Sequence, residues 1–317
     1  MKKLLFLLIP FVLSGCTSVN PVPVPSEPEI EPVNPDPINP DPVNPDPINP
    51  DPINPDPIEP GTKDKYADYG AFLGRTENNT DGFQNYNYVS IDFEEYDTKT
   101  ISDIKAMSCG DVFGYLNVGS IEKYRSYYKR FESITFLDYE NWPDERWVDI
   151  SNSEWQDFVV NTLAKEIKNK GGTGVYMDNV DVYSVCIEEK RPTSGVISGL
   201  KNIIKGVANL GLKVMVNGGA EFFDDMNDKN DTIFDSVWAY HQEEVFSLIK
   251  DYEKNIFGKQ EKEDSEYYQE IASIMKKKNK QVFLLEYTKD ETVKKSIKDY
   301  CEKNNFHYYI SSSINLD

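Results

Sequence analysis

The feature that most constrains the fold is an alternation of short apolar runs with amphipathic stretches across the last 255 residues. Eight units of strand and helix in a chain of this size predict a parallel (β/α)8 barrel, the TIM-barrel fold. The alternative is a doubly wound open sheet, but no G-x-G-x-x-G turn follows the first strand to support dinucleotide binding. The predicted strands are Gly70–Leu73, Tyr88–Asp92, Val112–Asn117, Gly174–Asp178, Lys213–Asn217, Asp235–Ala239, Val282–Glu286 and Phe306–Ser311.

Helical spacing of apolar residues is clearest in the second half of the chain. A capping box of Ser153 and Gln156 predicts one helix start, and Thr288 with Glu291 predicts another. Gly171 is expected to end the first of these helices, together with Gly172. The faces expected to pack on the sheet are Trp155, Phe158, Val159, Leu163 and Ile167; Val196, Leu200, Ile203, Ile204 and Val207; and Val293, Ile297, Tyr300 and Cys301.

Polar and acidic side chains stand where the predicted strands end. On a barrel, the carboxyl ends of the strands form the functional face, so these groups are expected to converge there. Like charges held close together have shifted pKa values, which suits acid–base chemistry. The residues concerned are Asp92, Asp178, Asn217 and Glu286, with Glu243 and Glu244 beyond the sixth strand. The long stretch 132–150, which ends within the motif NWPDERWVDIS, is predicted to be an elaborated loop beside this face.

The sequence lacks the motifs of several other kinds of catalytic site. The chain has two histidines, His241 and His307, and it lacks H-E-x-x-H, G-x-S-x-G and P-loop motifs. We expect His307 to be a strand residue and leave open whether His241 touches a ligand. The other cysteines besides Cys16 are Cys109, Cys186 and Cys301, whose spacing fits neither a zinc site nor a disulfide framework, although one disulfide is compatible with an exported chain. No metal and no cofactor are therefore predicted.

The first 15 residues are typical of a bacterial lipoprotein signal. Two lysines precede a short apolar run, and "LSGC" resembles the lipobox in which Cys16 becomes the lipid-modified first residue. An ordinary cleaved signal is the alternative. Lipid chains on Cys16 would anchor the chain to a membrane without a transmembrane helix. The sequence thus predicts a domain exported from the cytoplasm and tethered in the cell envelope.

Residues 16–62 carry a repeat in which INPDP and VNPDP recur every five residues. Proline fixes φ and removes a hydrogen-bond donor, so neither helix nor sheet is expected, and the segment is predicted to be a disordered spacer of about 100 Å. A tail without a role is the alternative. Residues 63–317 then form the folded domain.

Net charge restricts the partners. The chain carries −20; nine acidic residues lie within 21–60 and two lysines in the signal, which leaves −13 for the residues after 60. This argues against nucleic acid as a partner and permits a cationic one. We expect a monomer.

Paired carboxylates with nearby aromatic rings are the equipment of glycoside hydrolysis. One acid protonates the departing oxygen, and the other acts as base or nucleophile on the opposite side of the sugar. Aromatic rings stack on the apolar faces of sugars. The candidate rings are Tyr115, Tyr176, Tyr183, Trp142, Trp147, Trp238 and Tyr240. For most of them, packing in the core is the competing interpretation.

Six motifs follow one another along the chain: GYLNVGSIEKYRSYY, GVYMDNVDVY, VMVNGGAEFF, HQEEVFS, VFLLEYT and YYISSSINLD. In this order they resemble glycoside hydrolase family 114, the endo-α-1,4-polygalactosaminidases and their relatives, and the resemblance spans residues 66–317. It implies a TIM barrel that cleaves galactosamine-containing polysaccharide. It also implies that Asp178 and Glu243 are the two functional carboxylates, with Glu244 as the rival of Glu243. His241 stands where related sequences often carry asparagine.

The division of labour is a hypothesis in which Glu243 is the general acid and Asp178 the base or nucleophile. The residues predicted to bind substrate are Asp92, Tyr115, Asn117, Asn179, Asp181, Tyr183, Asn217, Glu244, Glu286 and Tyr287. Partly deacetylated galactosamine is cationic and would be attracted to such an acidic groove. A non-catalytic glycan-binding lipoprotein on the same barrel is the alternative function, and a metal-dependent hydrolase is a third.

Overall fold

The computed structural model describes residues 65–108 and 110–317. Within them, eight strands run in chain order around one sheet, and every adjacent pair is parallel. The sheet nearly closes, since the N–H of Tyr308 donates to the carbonyl of Tyr66 at 2.9 Å. The predicted (β/α)8 barrel is confirmed. The strands are β1 (Tyr69–Ala71), β2 (Tyr88–Ile91), β3 (Asp111–Asn117), β4 (Gly174–Asp178), β5 (Lys213–Asn217), β6 (Ala239–Glu243), β7 (Gln281–Tyr287) and β8 (His307–Ser311).

Helices follow the strands and cover the outside of the barrel. Their apolar faces pack on outward side chains of the sheet, and the three predicted stripes all lie in this outer core. The α-helices are α1 (Thr98–Ser108), α2 (Tyr128–Phe131), α3 (Ser153–Phe158), α4 (Lys165–Asn169), α5 (Val182–Glu188), α6 (Thr193–Asn209), α7 (Ala220–Asp228), α8 (Lys262–Lys277) and α9 (Glu291–Asn304). A π-helical stretch, Val159–Ala164, joins α3 to α4, and 3-10 turns cover Phe83–Asn85, Phe93–Glu95, Glu132–Ile134 and Thr232–Ser236.

Both predicted capping boxes are wrong, because a residue other than the predicted one caps each helix. Asn152 caps α3, because its side chain accepts a hydrogen bond from the N–H of Trp155 at 3.0 Å. Asp290 caps α9 and accepts from the N–H groups of Thr292 and Val293. The residue that caps α3 lies one position before the predicted Ser153, and the residue that caps α9 lies two positions after the predicted Thr288. The turn after α4 does use Gly171, with φ of 98°.

The barrel interior is filled mainly by aromatic and aliphatic side chains. Its members alternate along each strand with the outward residues, as the pleat requires. The buried interior group is Tyr69, Ala71, Phe113, Tyr176, Met215, Ala239, Phe283, Leu285, Tyr287 and Leu316. This interior cluster fills the barrel beneath the carboxyl ends of the strands, where the polar residues lie.

The sixth strand differs from its prediction. The sequence favoured Asp235–Ala239, whereas β6 is Ala239–Glu243 and Asp235 lies in a 3-10 turn. The apolar criterion failed because β6 places His241 and Glu243 on its inward face, where a purely structural strand would carry aliphatic residues. Glu243 is therefore the last residue of a strand rather than part of a following loop.

Two insertions rise beside the carboxyl ends of the strands. The first confirms the predicted elaboration after β3 and is a three-stranded antiparallel sheet of Ser120–Glu122, Glu145–Val148 and Thr135–Asp138. The second, which the sequence did not predict, is a hairpin of Ser247–Asp251 and Ile256–Lys259 after β6.

The predictions for the N-terminal signal, Cys16 and the repeat concern residues outside the described part of the chain, as does Cys109. Cys186 and Cys301 are buried, as expected for small apolar side chains. Among the described helices, none has the length and apolarity needed to cross a membrane.

Candidate active site

Three consecutive strands deliver the central side chains. Asp178, Asn217 and Glu243 are the last residues of β4, β5 and β6. Asp178 pairs in register with Asn117 of β3, and Asn217 pairs with His241 of β6. Since neighbouring parallel strands end at the same edge of the barrel, the two carboxylates face each other across the amide of β5.

Asn217 joins the two carboxylates. Its Nδ2 donates to Oδ1 of Asp178 and to Oε1 of Glu243, each at 2.8 Å. Because both oxygens lie 2.8 Å from one nitrogen, they are at most twice that distance apart, about 5.6 Å. One planar NH2 group has two hydrogens, so a single side chain fixes the separation and relative orientation of the acids.

Asp178 sits in a site that disfavours its charge. Burial and the nearby charge of Glu243 raise its pKa to about 6, although donors oppose the shift. These donors are the amide of Asn217, the N–H of Asn179 at 2.9 Å and the phenol of Tyr115. The result is a carboxylate that ionises near neutrality and is held rigidly.

Glu243 is held by phenols as well as by the amide. Oε1 also accepts from the hydroxyl of Tyr176 at 3.1 Å, and Oε2 accepts from the hydroxyl of Tyr287 at 2.7 Å. Burial raises the pKa of Glu243, and the charge of Asp181 adds to the shift, whereas the three donors act against it. A buried carboxyl with a raised pKa is suited to carry a proton at neutral pH.

Asp181 lies on the loop after β4 and is tied to the loop after β5. Its Oδ1 accepts from the N–H of Gly219 at 2.9 Å, and burial raises its pKa to about 6. Gly218 has φ of 67°, and a Cβ there would lie 2.1 Å from Oδ2 of Asp181. The glycine is thus required for the close approach that brings Asp181 beside the acidic pair.

Asn117 and Asn179 belong to a buried polar cluster that the first insertion completes. Oε1 of Glu145 accepts from Nδ2 of Asn117 at 2.8 Å, from Nδ2 of Asn179 at 3.0 Å and from the hydroxyl of Ser120. Burial and the charge of Glu122 raise the pKa of Glu145 to about 7. Asn179, at φ of 62°, also accepts from the hydroxyl of Tyr139 at 3.1 Å, so both asparagines support the loop next to Asp178.

Glu286 does not line the site. It is 0 % exposed, and its carboxylate accepts from the N–H groups of Phe246 and Ser247 and from the Ser247 hydroxyl at 2.6 Å. Burial raises its pKa to about 7. The prediction that it lines the pocket is corrected, because it instead fixes the start of the second insertion.

Glu244 is turned away from the acidic pair. Its Oε1 accepts from the N–H of Ile249, and its backbone has φ of 56°. Burial raises its pKa to about 8. Of the two rival glutamates, only Glu243 shares a donor with Asp178, so the geometry favours Glu243.

Asp92 lies at the same end of the barrel, just after β2, and is paired with an arginine. Nη2 of Arg125 contacts its Oδ2 at 2.7 Å and also reaches Glu122 at 3.2 Å. The guanidinium lies 5.8 Å from the ring of Tyr115, which in turn donates to Asp178. Asp92 therefore contacts Arg125 rather than the acidic pair.

The family assignment follows from a match to the model of glycoside-hydrolase family GH114, which covers residues 51–313. The chain belongs to GH114. It is a glycoside hydrolase by membership. No curated protein sequence matches the chain.

Solved structures agree with the fold of this GH114 chain. The glycoside hydrolase domain of PelA from Pseudomonas aeruginosa is 14% identical, with TM-score 0.65, over 79% of this chain and 96% of that one. Aspergillus fumigatus Ega3, solved in complex with galactosamine, is 19% identical, with TM-score 0.62, over 80% of this chain and 93% of that one.

Several predicted rings of the GH114 domain pack rather than face the carboxylates. Tyr183 is buried against Phe222 and donates to Asp225 on α7. Tyr240 points outward from β6 and donates to Gln242. Trp238 precedes β6 and stacks on Phe113 at 5.3 Å, at the amino-terminal end of the barrel. At the same end, Nδ1 of His307 lies 2.6 Å from Oδ1 of Asp68, so His307 is the strand residue it was predicted to be.

Two aromatic side chains of the insertions, Tyr139 and Tyr252, lie near acids of the site, and a third, Trp142, contacts Tyr252. Tyr139 stacks on Trp147 at 4.5 Å while its hydroxyl reaches Asn179. Trp142 is 43% exposed and contacts Tyr252 edge-on at 5.9 Å. Burial raises the pKa of Tyr252, and the charges of Glu244 and Glu243 add to the shift, so this phenol lies near those two glutamates.

Arg125, Tyr139, Glu145 and Tyr252 are the side chains of the site that sequence reasoning missed. All four lie in the insertions, where no regular strand period locates a residue relative to the barrel. The density of aromatic and charged residues around NWPDERW was a signal for Tyr139 and Glu145, and Arg125 lies in the motif GYLNVGSIEKYRSYY, whereas no pattern marked Tyr252.

Proposed function

We propose that this GH114 domain hydrolyses α-1,4-linked, galactosamine-containing polysaccharide by a double displacement at Asp178 and Glu243. The observation that carries the proposal is the shared donor Asn217, which limits the two acceptor oxygens to a separation of about 5.6 Å. Carboxyl groups about 5–5.5 Å apart are typical of retaining glycosidases, whereas inverting enzymes leave about 6.5–9.5 Å for a water.

In the first step, Glu243 gives its proton to the glycosidic oxygen while Asp178 attacks the anomeric carbon. The bond from the anomeric carbon to the leaving oxygen breaks, and a glycosyl ester forms on Asp178. In the second step, Glu243 is ionised and takes a proton from water, whose oxygen replaces Asp178 at the anomeric carbon. Tyr176 and Tyr287, which donate to Glu243, stabilise its ionised form between the two steps.

The substrate class rests on charge and on the relatives. Asp178, Asp181, Glu243 and Glu145 surround the site, while Arg125 is already paired with acids. A site surrounded by these acidic residues favours a cationic sugar, such as deacetylated galactosamine, over a neutral or anionic one. Ega3, of the same fold, was solved with galactosamine bound.

Digestion of defined oligomers tests the proposal. The purified full chain is incubated with α-1,4-linked galactosamine oligomers that differ in acetylation, with and without a chelator, and the products are sized by mass spectrometry. Shorter chains with chelator present support the proposed hydrolysis. Binding without cleavage, with Asp178 and Glu243 intact, would favour a non-catalytic glycan-binding protein, and loss of cleavage on chelation would favour a metal-dependent hydrolase.

We also propose that the protein is tethered to a membrane through lipid on Cys16, with the proline-rich repeat as spacer. The support is the order of charged start, apolar run and LSGC in the sequence. Growth of a bacterial host with a labelled fatty acid tests this. Label should enter the wild-type chain and be absent from Cys16→Ser; equal labelling of both would reject the tether.

A further inference from the structure

His241 is a buried histidine that the two-step mechanism does not use. It lies on the inward face of β6, two residues before Glu243, and is 0 % exposed. Its ring meets those of Tyr69 and Tyr176 edge-on at 5.3 and 4.9 Å. Its Nδ1 lies 2.7 Å from Oδ1 of Asn217, the residue that bridges the two acids.

The direction of the hydrogen bonds can be followed from the carboxylates inward. Carboxylate oxygens accept, so Asn217 must turn its NH2 group toward Asp178 and Glu243, which leaves its Oδ1 facing His241. An oxygen 2.7 Å from a ring nitrogen requires a donor, so the proton of His241 is on Nδ1. The Tyr176 hydroxyl is 3.4 Å from Nδ1 but 3.1 Å from Oε1 of Glu243, so its one proton goes to Glu243.

The far side of the ring agrees with this assignment. Across residues 65–108 and 110–317, Nε2 of His241 is buried and has no hydrogen-bond partner. Burial also lowers the pKa of His241 to about 3, so the ring is neutral and carries one proton. With that proton on Nδ1, only a lone pair is left unpartnered at Nε2. The opposite tautomer would bury an unpaired N–H and set two lone pairs against each other at Asn217.

We propose that His241 is a positioning residue whose Nδ1–H locks the carboxamide of Asn217 in the one orientation that donates to both Asp178 and Glu243. Without that donor, rotation by 180° about the last bond of Asn217 would point its oxygen at the two acids. The role of the lock in turnover rests on the proposed function, but the tautomer of His241 does not.

The first test reads the tautomer directly. The full chain is labelled with ¹⁵N-histidine, and the His241 signals are identified by their absence from His241→Asn; only one other histidine, His307, is present. We expect a neutral ring with the proton on Nδ1 from pH 5 to pH 8. A proton on Nε2, or a charged ring, would overturn the proposal whatever substrate the protein takes.

The second test separates hydrogen bonding from packing. Asparagine places its Nδ2 as many bonds from Cβ as Nδ1 of histidine, whereas leucine places a methyl there and fills the apolar cavity better. We expect His241→Asn to keep kcat within a few-fold of the wild-type value and His241→Leu to lower kcat about tenfold or more, with KM little changed. The reverse order would show that His241 only fills space.

Two results would make the kinetic test uninformative, and each has its own remedy. If the wild-type chain cleaves no oligomer, the proposed function fails and the ¹⁵N signals alone decide the tautomer. If His241→Leu does not fold, as judged by thermal unfolding, His241→Met replaces it, because the flexible thioether side chain fits irregular apolar cavities and offers no donor. Equal kcat for the Asn and Met variants would then overturn the proposal.

Discussion

Oδ1 of Asp178 and Oε1 of Glu243 accept hydrogen bonds from the same nitrogen, Nδ2 of Asn217, at 2.8 Å each. This spacing predicts that hydrolysis keeps the anomeric configuration of the sugar. Proton NMR of the first product formed from an α-linked oligomer should show the α-anomer before mutarotation. Early appearance of the β-anomer would indicate inversion and would remove Asp178 as a nucleophile.

Replacing either acid should stop catalysis without harming the fold. We expect Asp178→Asn and Glu243→Gln each to lower kcat by about 10²-fold to 10⁴-fold. Their melting temperatures should be equal to or above that of the wild type, because each change removes a buried carboxyl whose charged form is disfavoured by burial. The matched control is Asp299→Asn on α9, whose side chain is 58% exposed. Wild-type-like turnover in either site variant would exclude that residue from the mechanism.

Tyr287→Phe should shift the pH profile. Its phenol donates to Oε2 of Glu243 at 2.7 Å and lowers the pKa of that carboxyl, so removing it raises the pKa further. With Glu243 as general acid, the alkaline limb of kcat/KM should move up by about one pH unit. Tyr240→Phe is the control, because that phenol contacts Gln242 outside the barrel. An unmoved limb would contradict the role of Glu243.

Trp142 is predicted to bind substrate by stacking. It is 43% exposed on the first insertion and contacts Tyr252 of the second. Loss of the ring should weaken ground state and transition state alike, so Trp142→Ala should raise KM about threefold to tenfold at unchanged kcat. Met107→Ala on α1, with the same exposed fraction, is the control. If KM for long oligomers stays at the wild-type value, Trp142 has no part in binding.

Buried carboxyls should make the fold less stable as pH rises. Burial holds the pKa of Glu244 at about 8 and that of Glu286 at about 7, against 4.5 for the ordinary group. Between those values the folded state binds more protons than the unfolded state, so the free energy of unfolding falls from pH 5 to pH 8.

Urea unfolding at the two pH values measures this loss. Glu244→Gln keeps an acceptor for the N–H of Ile249 but cannot ionise, so its stability should fall less between pH 5 and pH 8. The exposed Glu302→Gln should follow the wild type. Parallel curves for all three proteins would mean that Glu244 is not protonated in the folded state.

The sequence was sufficient for the fold because most strands are apolar and regularly spaced. Seven of the eight predicted strands overlap the observed ones over most of their length; the prediction for β6 shares only Ala239 with it. β6 carries His241 and Glu243 at inward positions where other strands carry apolar residues. The apolar run by which a strand is recognised is therefore interrupted at the residues that form the site.

Site residues at the ends of strands could be predicted from the sequence, whereas those whose position depends on the path of the insertions could not. Asp178 and Asn217 follow from strand ends. Glu286 also ends an apolar run, yet its carboxylate is buried under Phe246 and Ser247, which only the three-dimensional path of the second insertion determines. Arg125 and Glu145 come from the first insertion, whose pairing no local period specifies.

Glu286 has a consequence for engineering. Glu286 accepts from the N–H groups of Phe246 and Ser247 and so holds this part of the backbone against β7. Movement of the hairpin beyond residue 247 is therefore less readily transmitted to Glu243. We therefore expect a hairpin grafted after Ser247 to leave Glu243 in place if it keeps an aromatic residue at the position of Phe257, whose ring centroid lies 6.1 Å from that of Tyr287. Under that condition, Ser247 is a place at which hairpins can be exchanged between barrels of this kind.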